Sequence, residues 1–148
     1  MEDSFFTSKK AAEITGSTLR QLQYWREKEV VVPTICASGS LRSVYYSLQV
    51  LLKLAVIQYC LKAGLNFELA ATTIKQLEND NWLLPTTYRI DVKPEANMRY
   101  MFSLSEKTGK LELGKYDLKK AQSSVKTGKP VIPVCLDDIY QQLAEKID

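Results

Sequence analysis

Apolar positions recur with two different periods along this chain. Before Asn79 they return every three or four residues, the mark of helices with one buried face. After Asn79 several short stretches alternate, the mark of half-buried strands. In the first helical stretch, Thr7 or Ser8 caps the start, and Ala11, Ala12 and Ile14 form a small apolar face. Thr15-Gly16 ends it, because glycine accepts the φ > 0 of a helix terminus. Thr18 opens a second helix, and Gln21 three residues later completes a capping box. On that helix Leu19 and Leu22 fall on one side, flanked by Trp25. Arg20, Tyr24 and Lys28 recur on the other, with Gln21 and Gln23 on the shoulders. Two short helices around a tight turn have the size of a helix-turn-helix.

The pattern changes after Pro33. Ile35, a turn at Gly39, and Val44-Tyr45-Tyr46 predict a β-hairpin, with Arg42 on its return strand. A hairpin directly after a helix-turn-helix is a wing. Ser47 to Gly64 is a strongly apolar helix, capped by Ser47 and ended at Gly64. It is short and contains Lys53, so it reads as a core helix and not a membrane span. A fourth helix runs from Asn66 to about Asn79, with Phe67, Leu69, Ala70, Ile74 and Leu77 inward.

Beyond Asn79, residues 87–92, 99–104 and 110–113 alternate and predict a three-stranded antiparallel meander. Residues 94–97 and Thr108-Gly109 supply its turns. A Lys-rich stretch follows, then an extended segment at 130–134. The chain closes with an amphipathic helix whose inner face is Leu136, Ile139, Tyr140 and Leu143. Asp137 and Asp138 suit the positive end of that helix. The predicted class is α+β: a winged helix-turn-helix at 1–80, then a small meander and terminal helix at 81–148. The second part is small for an independent core. Its expected role is dimerisation, with a plain cover for the third helix as the alternative.

The exposed row on the second helix suits a DNA groove. Arginine pairs bidentately with guanine and glutamine with adenine, while Tyr24 and Lys28 can reach phosphates. A charged surface helix is the competing reading of that helix taken alone. Charge narrows the choice only locally: 20 basic and 17 acidic side chains leave a net charge of +3. Residues 107–129 hold seven lysines against Glu112 and Asp117, a local excess of +5. With no arginine and Tyr116 as the only aromatic, that stretch reads as a solvated loop ahead of a track along flanking DNA.

Four motifs in order carry a family resemblance: ITGSTLRQLQYW, EKEVVVP, SVYYSLQVLLKL and LKAGLNFELAATTIKQL. Together they resemble the MerR family of bacterial transcription regulators from residue 5 to about 79. The resemblance implies a winged-helix domain that binds a pseudo-palindromic promoter in double-stranded DNA as a homodimer, in the bacterial cytoplasm and at the nucleoid. It implies DNA contacts by Arg20, Gln21, Gln23 and Tyr24 from the recognition helix, and by Arg42 and Tyr45 from the wing. Lys9, Lys10, Thr18 and Lys28 complete the expected contact set. The chain departs from the family at Gln23, where arginine is common. It has Glu29-Val30 where Gly-Leu is common, so the turn is expected to differ. Val44 holds the usual wing-arginine place, and no long dimerising helix or sensor domain follows. In length and truncated design the chain is similar to short MerR-like repressors that accompany CRISPR-associated transposons. A repressor is therefore expected ahead of a ligand-triggered activator.

Other chemistry has little to stand on. The chain has no histidine, which removes Ser-His and Cys-His catalysis and histidine-ligated metals. There is no Gly-rich phosphate loop, so no enzyme and no cofactor is expected. Cys36, Cys60 and Cys135 lack metal-ligand spacing and read as buried free thiols, with redox sensing at Cys36 the alternative. No signal peptide or membrane segment is expected. An excisionase-like DNA-architectural protein and a protein-interaction adaptor stay open beside the regulator.

Overall fold

The computed structural model describes residues 5–36, 44–79 and 99–147. The chain divides into two compact units, Met1–Val92 with Ile139–Asp148, and Lys93–Asp138.

The first unit begins with a strand the sequence pattern does not announce, β1 (Phe5–Thr7). Thr7 then caps α1 (Ser8–Thr15), its side chain accepting from the Lys10 N–H. Gly16 closes α1 in the left-handed region at φ 76°. Thr18 opens α2 (Leu19–Glu27). Strands β2 (Ile35–Cys36) and β3 (Val44–Ser47) pair antiparallel, as the hairpin predicted, and the order in the sheet is β1-β3-β2. The predicted turn at Gly39 and the wing residue Arg42 lie outside the described residues. β1 pairs with β3 through Phe5 with Ser47, Phe6 with Tyr46 and Thr7 with Tyr45.

Ser47 ends β3 and caps α3 (Leu48–Lys62), accepting from the Val50 N–H. α3 is apolar on nearly every side because it is enclosed: Leu51, Leu52, Leu54, Val56, Ile57 and Cys60 are all buried. α4 (Phe67–Asn79) packs on it through Ala70, Thr73, Ile74 and Leu77. Asn66 starts α4, its Oδ1 accepting from the Leu69 N–H at 2.8 Å. A Lys53–Glu78 ion pair at 2.6 Å joins the two helices at the edge of their contact.

In the second unit, β4 (Arg99–Leu104) and β5 (Leu111–Lys115) form the expected antiparallel hairpin across the Thr108-Gly109 turn. Ser105 shapes that turn by accepting from the Lys107 and Thr108 N–H groups. The third described strand is β6 (Val131–Cys135), and the order is β5-β4-β6. The strand predicted at 87–92 lies outside the described residues. β4 is central, so Tyr100, Met101, Phe102 and Ser103 are all buried in succession.

The Lys-rich stretch requires a correction. It contains α5 (Leu118–Lys126), capped by Asp117 accepting from the Lys120 N–H at 3.2 Å. It is solvated, as expected, but helical and not a loop. α6 (Leu136–Ile147) follows β6 directly, with Leu136, Ile139, Tyr140 and Leu143 buried as predicted. At its start, Asp137 is buried and accepts from Arg99 at 3.4 Å. The class is α+β, with an N-terminal helix-turn-helix, antiparallel sheets and a C-terminal helix.

Candidate nucleic-acid interface

α2 is short, and nine residues do not hold a helix in water on their own. Its position is fixed from four directions. The capping box at its start is complete: the Gln21 N–H donates to Thr18 Oγ1 at 3.0 Å, and the Thr18 N–H donates to Gln21 Oε1 at 3.0 Å. Leu22 and Trp25 are buried beneath it, 3% and 2% exposed. Trp25 stacks on Phe67 of α4, with ring centroids 6.1 Å apart and planes 5° from parallel.

The fourth hold is a buried polar chain under the helix-turn-helix turn. Gln58 of α3 donates from Nε2 to Gln21 Oε1 at 2.8 Å and to Ser17 Oγ at 3.1 Å. Thr15 Oγ1 and Ser17 Oγ lie 2.8 Å apart, and Thr15 donates to the Ala11 carbonyl at 2.8 Å. The Thr15 proton is thus committed, so the Ser17 hydroxyl donates to Thr15. The Thr15, Ser17 and Gln58 donors each find an acceptor, which favours one arrangement. Sequence reasoning missed this. Its one signal was a glutamine at 58 beside the apolar run of that helix.

The C-terminus of α2 also differs from expectation. Glu29 does adopt the left-handed region, at φ 57°. The Val30 N–H donates to the Trp25 carbonyl and the Glu29 N–H to the Arg26 carbonyl, both at 3.0 Å. This is a Schellman cap, the same one made at Gly64 with the Leu65 N–H on the Cys60 carbonyl. A side chain in that region costs about 1–2 kcal/mol. The expectation that glutamate would force a different turn is therefore wrong. Closure of the helix and burial of Val31, 2% exposed, offset the strain.

The predicted contact residues separate into groups. Arg20, Gln23, Tyr24 and Lys28 are exposed together on α2, away from Leu22 and Trp25. Tyr24, 46% exposed, meets Phe67 edge-on at 5.5 Å, and Lys28 Nζ lies 5.6 Å from the Tyr24 ring centre. Gln23 Nε2 donates to Glu27 at 3.4 Å. Gln21 and Thr18 are different: the Gln21 carbonyl turns inward to Gln58, and the Thr18 hydroxyl serves the cap. Both act first as supports of the helix. Leu19 corrects the predicted core, because it is 57% exposed and not packed beside Leu22.

Lys9 and Lys10 are exposed in the first turn of α1. Cations there oppose the helix dipole, and the Lys10–Glu13 contact at 3.9 Å is too exposed to offset that. An anion outside the chain would satisfy both lysines. Tyr45 is 37% exposed on β3, while Tyr46 beside it is buried, as strand alternation requires.

Cys60 and Cys135 are free thiols, and the surroundings of the Cys36 side chain lie outside what is described. Burial pushes the Cys60 thiol from 9.0 up to about 11, so it stays protonated near neutrality. Cys135 is half-buried and raised too, first by burial and then by Asp137 and Asp138. Among the described residues there is no group of three or more Cys, Asp or Glu side chains placed to hold a metal ion. None of the described helices is long and apolar enough to cross a membrane.

Residues 6–77 match the family model described as the MerR HTH family regulatory protein. The matched segment is similar to a MerR-type helix-turn-helix domain. It runs from β1 through α4 and covers just under half of the 148 residues. The MerR match thus takes in α2 with all of its supports, Thr15, Ser17, Gln58 and Phe67. It supports a DNA-binding transcription regulator. No curated protein matches the chain.

Proposed function

We propose that the protein is a transcriptional repressor that binds a pseudo-palindromic promoter site as a homodimer. The observation that carries this reading is α2: a short helix with a full set of internal supports and an outward row of Arg20, Gln23, Tyr24 and Lys28. In helix-turn-helix proteins the second helix enters the major groove, and its first residues meet base edges. Arg20 suits guanine and Gln23 suits adenine. Lys9, Lys10, Lys28 and Tyr45 suit the phosphate backbone, which positions the protein without reading sequence. Arg42 joins them as a wing contact.

Dimerisation is assigned to residues 81–148, in place of a long coiled coil. Two-fold symmetry in the protein would then match two half-sites in the DNA. Repression is the proposed sign of regulation, with ligand-triggered activation as the alternative. The tie to CRISPR-associated transposons rests on length and design alone, and sequencing bound genome fragments would test it.

Titration of a footprinted duplex tests the assembly, with two protomers per site expected. If Lys9, Lys10, Lys28 and Arg42 each meet one phosphate, a dimer neutralises about eight, and the logarithmic salt slope approaches about −7. A monomer on the site contradicts the dimer, and a flat salt response contradicts DNA as the partner. Filament-like occupancy of direct repeats would point to an excisionase-like protein.

A further inference from the structure

We infer that Leu19 reads the C5-methyl group of a thymine in the major groove. The inference rests on the DNA-binding reading and adds an apolar reader that the sequence had placed in the core. Leu19 is the first residue of α2 and 57% exposed. A single exposed leucine is ordinary on a protein surface. This one is distinguished by its place and its neighbours.

At about 100° per residue, Arg20 and Gln23 lie about 100° and 40° round the helix from Leu19, on its exposed side. The three therefore share the solvent face of the first two turns, the end that enters the groove in helix-turn-helix proteins. Their chemistries differ and do not overlap. Arginine matches the guanine acceptors, glutamine matches the adenine donor–acceptor pair, and leucine can match only the thymine methyl. No other unmodified base presents a methyl group in that groove. The backbone under Leu19 is also fixed, because Thr18 and Gln21 on either side exchange the two capping-box hydrogen bonds. Gln58 then ties Gln21 to α3 at 2.8 Å. Leu19 is thus aimed by a rigid frame, as a discriminating contact must be.

The test uses the full chain and duplexes that it selects from a randomised pool. Each dT of the selected site is replaced by dU in turn, which removes one methyl and nothing else. Binding is then measured for wild type and Leu19→Ala. At one position in each half-site, dU should weaken the wild type about fourfold, the value of one buried methyl. Leu19→Ala should bind the dT and dU duplexes alike at that position, with an unchanged melting temperature. Sensitivity to dU that persists in Leu19→Ala would overturn the assignment, as would insensitivity at every position. Both results leave DNA binding intact. Failure to select any duplex would instead remove the DNA-binding reading and this inference with it.

Discussion

α2 and α5 are both nine residues long, both capped by a polar side chain, and both rich in exposed cations. They are otherwise opposites. α2 buries Leu22 and Trp25, exchanges a capping box, and hangs from Gln58 and Phe67. α5 buries nothing: Leu118 and Val125 are 56% and 68% exposed, and its cap is the single Asp117 bond. Positive charge alone therefore does not mark a reading element. Base recognition needs side chains held to within a fraction of an ångström, and only α2 has the frame for it.

The contrast breaks most sharply at Trp25. Trp25→Ala should lower stability by about 3–5 kcal/mol and abolish DNA binding with the fold. Val125→Ala in α5 should change stability by no more than about 0.5 kcal/mol. Parallel urea titrations of the two variants check both figures.

Much of this contrast was legible in the sequence, and the parts that were not share a cause. The Thr18–Gln21 capping box, the Ser47 cap and the strand at 99–104 are local, and local patterns report them. Leu19 was misplaced because helical spacing gives only an angle. It does not say where along α2 the core ends. The Gln58 chain joins residues 41 positions apart in sequence, Ser17 to Gln58, and no local pattern carries that. Glu29 was misjudged because its strain is offset by contacts elsewhere. α5 was missed although Asp117 and Gly128 flank it as caps, because its apolar positions are few and its lysines resemble a loop. Of the expected contact set, Arg20, Gln23 and Lys28 are exposed, whereas Gln21 is drawn into the frame.

The core around α3 can be probed by pH. The unfolded chain begins to ionise Cys60 near its ordinary value of 9.0, while the folded chain holds the proton to about 11. Stability is therefore intact below pH 9 and falls as pH rises to about 11, by about 2–3 kcal/mol in all. Cys60→Ala should flatten that part of the profile, and denaturant melts across the window measure the difference. Gln58→Ala should lower stability by about 1–3 kcal/mol by leaving Ser17 and Gln21 short of a buried donor. A larger loss of sequence discrimination than of non-specific affinity would show that the frame positions α2 without touching DNA; competition with non-specific DNA separates the two. Glu29→Gly has a smaller effect of the opposite sign. It should raise the urea midpoint by relieving about 1 kcal/mol of left-handed strain.

The central claim is that α2 reads DNA from its Arg20 face. The most direct measurement is a selection of bound fragments from the source genome, footprinted with wild type and with Arg20→Ala, and with Lys119→Ala in α5 as the counterpart. A protected palindrome overlapping a promoter is predicted for wild type and for Lys119→Ala. Arg20→Ala should lose about 1–3 kcal/mol of affinity there and relax its sequence preference, while its melting curve stays in place. Protection that is absent from wild type, or unchanged in Arg20→Ala, would contradict the claim.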